Sequence, residues 1–181
     1  MIAESRFLEA VTSLEASLKR DPRFACAYNA LGVALARVNR MKESRQAFET
    51  AAKLTPEWAL PPFQIAQQLV TDGQPGKAVP YLEKAVAYNP RSVVNRWNLT
   101  HVLRLSGNAG RAEREATELI RLDPNYPPAY LELGQAREAL RDFGKAADAY
   151  DTYVQLAPNY AGTQAVRARA ASLHKGLPIS Q

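Results

Sequence analysis

The sequence predicts an all-α solenoid, a stack of antiparallel helix pairs, and three recurring features support this prediction. Five prolines lie 34 residues apart, at Pro22, Pro56, Pro90, Pro124 and Pro158. Small residues recur with the same period at Gly32, Ala66, Thr100 and Gly134, and each follows a large apolar residue, at Leu31, Ile65, Leu99 and Leu133. A fixed period of this length indicates one supersecondary unit that is repeated along the chain.

The clearest copy of the unit runs from Pro127 to Tyr160, and the other copies match it with drift. In its period, its small-residue positions and its closing proline, this unit resembles the tetratricopeptide repeat. The resemblance covers nearly the whole chain. It implies a right-handed superhelix in which every repeat contributes a first and a second helix.

The repeat pattern divides the chain into a half-repeat, four full repeats and a capping helix. The half-repeat spans residues 1–24 and contains a second helix only. The full repeats span 25–58, 59–92, 93–126 and 127–160. Residues 161–175 are expected to form the capping helix, and residues 176–181 a flexible tail.

The half-repeat has no first helix before it in this sequence. On a helix over 3–20, Phe7, Ala10, Leu14 and Leu18 share one apolar stripe. Pro22 ends that helix, because a proline restricts the residue before it to extended geometry. The stripe is expected to be partly uncovered, which is typical of an interaction surface. We therefore expect either a longer parent array or self-association through the half-repeat.

In the first full repeat, a first helix over 25–38 turns Gly32 inward. Glycine inside a helix costs about 1 kcal/mol relative to alanine. A close approach of the second helix would compensate for this cost, since Gly32 has no side chain in the way. The packed stripe of that second helix consists of Met41, Ala47, Phe48, Ala51 and Leu54.

The second repeat departs most from the pattern, because it is rich in proline. Pro61 and Pro62 fit the first turn of a helix, where backbone amides have no partner. The segment from Gly73 to Gly76 predicts a break between the paired helices. Pro80 removes a backbone hydrogen bond, so it predicts a kink or a late start in the second helix.

The composition is that of a globular protein, with 46% hydrophobic and 23% charged residues. The net charge is +5, but basic and acidic side chains alternate along the helices, as is typical of a solvated surface. No apolar run approaches the roughly 20 residues that cross a bilayer, and the N-terminus lacks a secretory signal pattern. We expect a soluble chain, with the cytoplasm favoured.

No sequence motif indicates catalysis or metal binding. His101 and His174 have no cysteine or histidine at ligand spacing, so no metal or other cofactor is expected. Cys26 has no histidine near it in sequence. Gly76-Lys77 and Gly144-Lys145 lack the leading glycine and the hydroxyl of a phosphate-binding loop. The sequence therefore predicts that the chain is not an enzyme.

The resemblance implies that the first helices line a concave groove in which a partner binds. Phe63 and Trp97 occupy equivalent places and are expected to be neighbours. They either anchor an apolar side chain of a peptide or fill the space between first helices. The predicted peptide-binding residues are Asn29, Arg37, Phe63, Gln64, Gln67, Trp97, Asn98, His101, Arg104, Glu132, Gln135 and Glu138, to which the capping helix adds Arg169.

The charges of these residues predict a bipolar groove. Arg37, His101 and Arg104 are basic and come first, whereas Glu132 and Glu138 are acidic and come last. The basic residues lie near the predicted aromatic anchors. We therefore expect a ligand that carries an acidic residue close to an apolar one.

Taken together, these features predict a scaffold or adaptor that binds a peptide segment of a partner protein in the groove. One alternative is the substrate-selecting repeat domain of a larger enzyme, such as a glycosyltransferase. Nucleic-acid binding is a weaker alternative, because the net charge of +5 comes without a cluster of basic and aromatic residues.

Overall fold

The computed structural model of the chain describes residues 2–176, with side chains from Ser5 onwards. Ten helices lie within these residues, and none of the described residues is in a strand. The predicted all-α solenoid class is confirmed. Most of the tail predicted at 176–181 lies outside the described residues. By their contacts the helices form two compact units, one up to Pro90 and one from Arg91 onwards.

Unit 1 is a run of five helices, each packed against the next. Short turns join them, so neighbouring helices run antiparallel. Their bounds are α1 Ile2–Arg20, α2 Ala25–Arg37, α3 Met41–Leu54, α4 Leu60–Thr71 and α5 Pro75–Tyr88.

Unit 2 repeats this arrangement with five further helices in sequential contact, and α6 also packs directly on α8. Their bounds are α6 Val93–Leu105, α7 Ala109–Leu122, α8 Pro127–Ala139, α9 Phe143–Leu156 and α10 Thr163–His174. The N-terminus of α6 is capped by Ser92, whose Oγ accepts a hydrogen bond from the amide of Asn95 at 3.2 Å.

The apolar stripe of α1 packs against α2. Val11 and Leu18 are buried in one cluster with Leu31 and Leu35, and Leu14 packs against its edge. Within the predicted stripe Leu18 is buried, whereas Phe7, Ala10 and Leu14 are half-buried, so the stripe is only partly covered, as expected. Self-association through this end of the chain stays a prediction.

The close approach expected at Gly32 is confirmed, and Gly134 shows the same geometry. A Cβ added to Gly32 would lie 2.6 Å from Cε1 of Phe48, and one added to Gly134 would lie 2.4 Å from Cε1 of Tyr150. Real Cβ atoms do not approach other atoms this closely. Each glycine is therefore required so that an aromatic ring of the second helix can pack against the backbone of the first.

The sizes of paired residues compensate in every full repeat. The residue 16 positions after the small one is Phe48, Leu82, Ala116 and Tyr150 in turn. The largest of these follow the glycines, Leu82 follows Ala66, and the small Ala116 follows the larger Thr100. All are buried. Conserving the combined volume in this way keeps a core close-packed.

The turn inside each helix pair has one geometry, set by a residue with positive φ. These residues are Asn39, Gly73, Gly107 and Arg141, with φ between 60° and 79°. In the first turn, the amide of Arg40 donates to the carbonyl of Leu35 at 2.9 Å, and the other three turns make the same bond. This is the Schellman arrangement that satisfies the last carbonyls of a helix.

Pro80 does not delay the start of its helix, so the late start considered from the sequence is wrong, and the alternative of a kink stays a prediction. The helix begins at Pro75 and continues through Pro80 to Tyr88. Pro75 occupies the first turn, where its missing amide costs nothing, and so it starts the helix ahead of Pro80. The ring of Pro80 is exposed to solvent.

Candidate functional site

Three of the predicted groove residues come together in unit 1. Arg37 of α2 and Gln64 and Gln67 of α4 line a cavity of about 240 Å³. The ring of Phe48 forms part of its wall. We call this space the unit 1 cavity. Its polar lining consists mainly of side-chain amides, and Arg37 is the charged residue among its lining side chains.

A buried hydrogen-bond chain fixes the amide of Gln68 in the wall of the unit 1 cavity. The hydroxyl of Ser44 donates to the carbonyl oxygen of Gly32 at 2.6 Å, and Nε2 of Gln68 donates to Oγ of Ser44 at 2.7 Å. The orientation of the amide follows, because the hydroxyl proton is already used. Oε1 of Gln68 is buried and accepts no hydrogen bond from any described residue.

Asn29 and Phe63 do not line the unit 1 cavity. Both are half-buried. Oδ1 of Asn29 is buried and has no hydrogen-bond partner within residues 2–176. This half of the predicted groove thus contains two side-chain carbonyl oxygens that could each accept an N–H.

Three other predicted residues come together in unit 2. Arg104, Gln135 and Glu138 line a cavity of about 450 Å³, together with Tyr150 and Arg169. We call this space the unit 2 cavity. Arg169 of α10, which the sequence analysis added to the predicted groove, thus lies in the same cavity as these residues.

Glu132 lies beside these residues as a buried charge with 4% of its surface exposed. Nδ1 of His101 donates to Oε1 at 2.7 Å, and Nε of Arg104 donates to Oε2 at 2.7 Å. Burial alone would raise the pKa of Glu132. The hydrogen bonds from His101 and Arg104 outweigh burial and hold that pKa below its ordinary value. Glu132 is therefore an ion with both oxygens satisfied inside the protein.

Glu138 is paired in a similar way. Arg169 of α10 donates to Oε1 through Nη2 at 2.6 Å, and the hydroxyl of Tyr150 donates to Oε2 at 2.9 Å. Burial, together with this hydrogen bond to a carboxylate, raises the pKa of Tyr150 well above its ordinary value. The ring thus serves as apolar packing against Gly134 and as a neutral donor to Glu138.

Trp97 and Asn98 are engaged with their own helix. The ring of Trp97 stacks on His101 with 5.6 Å between centroids and 20° between planes. Its Nε1 is buried without an acceptor in the described part of the chain. Nδ2 of Asn98 donates to the carbonyl oxygen of Val94 at 2.7 Å, one turn earlier. The stack places Trp97 beside the ion pairs that Glu132 makes with His101 and Arg104.

Sequence reasoning missed that these groove charges are paired within the chain. One signal was present in the sequence. His101 and Glu132 are 31 residues apart, and so are Glu138 and Arg169. That spacing is three residues short of the repeat, which brings opposite charges together on successive first helices. Gln68, Phe48 and Tyr150 were also missed as cavity residues, because they belong to the packed core as well.

Further chemistry is not indicated by the described residues. Within residues 2–176, no three histidine, cysteine or acidic side chains lie close enough together to hold a metal ion. No described helix combines the length and apolar character needed to cross a membrane.

Solved structures with the same fold include three proteins of low sequence identity. YrrB, described as a TPR protein with an unusual peptide-binding site, is 22% identical with a TM-score of 0.76, over 94% of this chain and 84% of that one. MamA 41-end of Desulfovibrio magneticus RS-1 is 19% identical with a TM-score of 0.72, over 86% and 88%. A thermophilic TPR protein of Thermus thermophilus is 20% identical with a TM-score of 0.61, over 96% and 93%. At these identities the likeness concerns the fold.

A family model described as tetratricopeptide repeat matches residues 2–57 and 101–161, which together are more than half of the chain. No curated protein matches the chain. The family match, the repeated turns and the glycine–aromatic pairs lead to one conclusion: the chain belongs to the tetratricopeptide repeat family.

Proposed function

We propose that the chain is a non-catalytic protein–protein interaction module, a scaffold or adaptor that binds a peptide segment of a partner protein along its first helices. Repeats of this family generally mediate protein–protein interaction, and stacked helix pairs present extended surfaces for it. The peptide contacts are the predicted groove residues. The unit 1 cavity takes the main chain of the peptide.

The observation that supports this proposal best is the unpaired Oε1 of Gln68 in the wall of the unit 1 cavity. A buried carbonyl oxygen without a donor is unfavourable by about 1–3 kcal/mol. Because Oε1 is buried, an N–H of a bound peptide reaches it after a small rearrangement of the cavity wall and then supplies the missing donor. Gln64 and Gln67 line the same cavity and offer both donors and acceptors, which suits a main chain with alternating N–H and C=O groups.

The charge of the unit 1 cavity favours an acidic residue in the ligand. The side chain of Arg37 is exposed, and no carboxylate lies within ion-pair distance of it in the described part of the chain. Its Cζ lies over the ring of Phe7, 5.9 Å from the ring centre. A ligand carboxylate next to Arg37 would make a charge-assisted hydrogen bond.

The pairing of arginines in unit 2 supports a peptide over a nucleic acid. Carboxylates neutralise five of them: Arg96 by Glu115, Arg104 by Glu132, Arg121 by Glu118, Arg137 by Glu113 and Arg169 by Glu138. Nucleic-acid binding draws its affinity from cations that replace the counterions of phosphates. Cations already held by carboxylates serve that purpose poorly.

The test is selection of binders from a phage-displayed library of random linear peptides, with the full chain as bait. We expect enriched peptides with an acidic residue near an apolar one. The variant Arg37→Glu with Gln67→Ala should weaken their binding by about tenfold or more, or about 1.4 kcal/mol. Both side chains are exposed, so the fold should be unaffected.

The matched control carries the same two changes outside the groove, Arg23→Glu with Gln155→Ala, also at exposed positions. It should bind the selected peptides with unchanged affinity. The proposal is wrong if no peptide is enriched, or if the groove variant and the control bind equally well.

A second variant tests the proposed anchors, Phe63→Ala with Trp97→Ala. An aromatic anchor contributes more than about 2 kcal/mol to binding, so this variant should lose the selected peptides while its helical circular dichroism stays intact. Unfolding of the variant would instead assign both side chains to the core.

A further inference from the structure

A second cavity in unit 1 lies on the second helices and contains none of the predicted groove residues. It has a volume of about 330 Å³ and is formed by the C-terminal halves of α3 and α5, with residues of α4 between them. We call it the α3–α5 cleft. The unit 1 cavity is lined mostly by α2 and α4, so the two spaces are separate sites.

The base of the α3–α5 cleft is apolar, and aromatic rings line one of its sides. Ile65 and Pro62 of α4 form its base, and both are buried. Tyr81 and Tyr88 of α5 line one side, and Tyr88 remains 49% exposed. The volume is at the lower end of the range for ligand sites, roughly 300–1,000 Å³. It therefore suits a single large apolar side chain better than an extended surface.

One hydrogen bond joins the two helices that line the cleft. The hydroxyl of Tyr81 donates to Oε1 of Glu49 across the cleft, at 3.1 Å, and so links α5 to α3. Burial and this hydrogen bond raise the pKa of Tyr81, which keeps its hydroxyl protonated as the donor. The carboxylate of Glu49 is thereby directed to Tyr81.

Two lysines also line the α3–α5 cleft. Lys53 of α3 and Lys84 of α5 line it from either side, and both are exposed. Within the described residues, neither lysine has a carboxylate at ion-pair distance. The lining thus holds two unpaired cations and a single acidic group, Glu49, that is engaged with Tyr81. An apolar pocket between unpaired cations is complementary to an apolar side chain flanked by carboxylates.

We infer that the α3–α5 cleft is a second binding site, for an acidic peptide segment that inserts one aromatic or leucine-sized side chain and places carboxylates against Lys53 and Lys84. The ring of Tyr88 packs on the inserted side chain. This site goes beyond the proposed groove function, because it lies on other helices and uses other residues.

The probe is a short fluorescent peptide, Asp-Glu-Phe-Glu-Asp, blocked at both ends and titrated against the full chain by fluorescence anisotropy. The variant Lys53→Glu with Lys84→Glu should weaken binding by about tenfold or more. Tyr88→Ala should weaken it through loss of the apolar contact. A peptide with serine in place of phenylalanine should bind at least about tenfold more weakly.

The matched control is Lys42→Glu with Lys77→Glu, which makes the same charge change on exposed lysines of the same two helices, outside the cleft. It should bind the probe within about twofold of the natural chain. The probe also carries the acidic and apolar groups expected of a groove ligand, so the lysine variants are compared in the background Arg37→Glu with Gln67→Ala. Binding that remains in this background and is lost on adding Lys53→Glu with Lys84→Glu separates this site from the proposed function.

Four results would overturn the inference. They are the absence of measurable binding, equal weakening by the two lysine pairs, equal binding of the serine peptide, and loss of binding only in the groove variant. The second result would indicate attraction by bulk charge. The last would place the probe in the groove instead.

Discussion

At equivalent positions of the predicted groove, unit 1 has a neutral side chain and unit 2 has an ionised one. Gln64 in unit 1 and Glu132 in unit 2 occupy the same place in their repeats. Gln64 is neutral and lines an open cavity, whereas Glu132 is ionised, buried and bonded to His101 and Arg104. One position therefore holds a cavity-lining amide in one unit and an internal salt-bridge partner in the other.

This difference changes the bipolar groove that the sequence predicted. His101 and Arg104 are bonded to Glu132, and Glu138 is bonded to Arg169. Of the predicted groove charges, only Arg37 has no carboxylate partner within residues 2–176. A charge at a binding position thus indicates a ligand contact only after its partners within the chain are known.

The largest expected effect tests whether the same glycine–aromatic packing stabilises a helix pair in each unit. Gly32→Leu in unit 1 and Gly134→Leu in unit 2 should each lower the free energy of unfolding by about 3 kcal/mol, the upper end of the usual overpacking range, because even a Cβ collides with the facing ring. Thermal and urea denaturation would measure the loss. Thr100→Leu should lower the free energy of unfolding by less, because Thr100 packs opposite the small Ala116.

Gly144→Leu is the matched control, because a Cβ at Gly144 meets nothing within 4 Å. Its stability should be unchanged or slightly higher. An unchanged melt for Gly134→Leu would contradict the pairing of α8 with α9 through Tyr150.

An intermediate effect is expected from exchanging the equivalent groove residues. Glu132→Gln keeps the size of the side chain but loses the charge that His101 and Arg104 share, so it should destabilise by about 1–2 kcal/mol at neutral pH. Gln64→Glu in unit 1 should change stability by no more than about 0.5 kcal/mol, since the side chain is only half-buried. Equal changes in stability from Glu132→Gln and Gln64→Glu would contradict the proposed difference between the units.

The contribution of Glu132 should also depend on pH. Because its pKa is lower in the folded than in the unfolded state, its stabilisation is complete above the unfolded-state value of about 4.3 and is lost as the pH falls through the folded value. The stability gap between the natural chain and Glu132→Gln should therefore be constant near neutral pH and shrink below about pH 4. Urea denaturation at a series of pH values would show it. A gap that widens on acidification would contradict the assignment of this stability to the ionised form of Glu132.

The smallest effect concerns the turns, where the units also differ. Arg141 has a φ of 64°, a left-handed conformation that costs a side-chain-bearing residue roughly 1–2 kcal/mol. Arg141→Gly removes this cost but increases the conformational entropy of the unfolded chain. We therefore expect the free energy of unfolding to rise by about 0.5–1 kcal/mol. Asn39→Gly should gain less, because asparagine tolerates this conformation. A loss of stability in Arg141→Gly would show that the Arg141 side chain makes a stabilising contact.

Much of the fold could be predicted because it depends on features that recur along the sequence. The proline period marked the repeats, and Gly32 predicted a close helix approach from its cost alone. The turns were only partly predictable: Gly73 and Gly107 suit positive φ, but Arg141 does not. The positive φ of Arg141 accompanies the backbone hydrogen bond that the amide of Asp142 donates to the carbonyl oxygen of Arg137.

The candidate sites were less predictable, because they depend on which side chains meet between repeats. The family resemblance gave the residues predicted to face the groove, and six of them line the two cavities. Nothing in it indicated that Glu132 would be neutralised by His101 and Arg104. The α3–α5 cleft was missed altogether, since its volume arises from how Tyr81 and Tyr88 pack against α3 and α4.

The size compensation between residues 16 apart has a consequence for how such a chain can be altered. Because each small residue and its large partner belong to the same helix pair, a whole pair can be duplicated, deleted or transplanted without disturbing the fit at its centre. Exchange of a single helix is different. If the helix of Thr100 were paired with that of Phe48, the Thr100 side chain would collide with the Phe48 ring. If the helix of Gly134 were paired with that of Ala116, a cavity would remain between the two small residues. Recombination should therefore tolerate crossovers between pairs and select against crossovers within them.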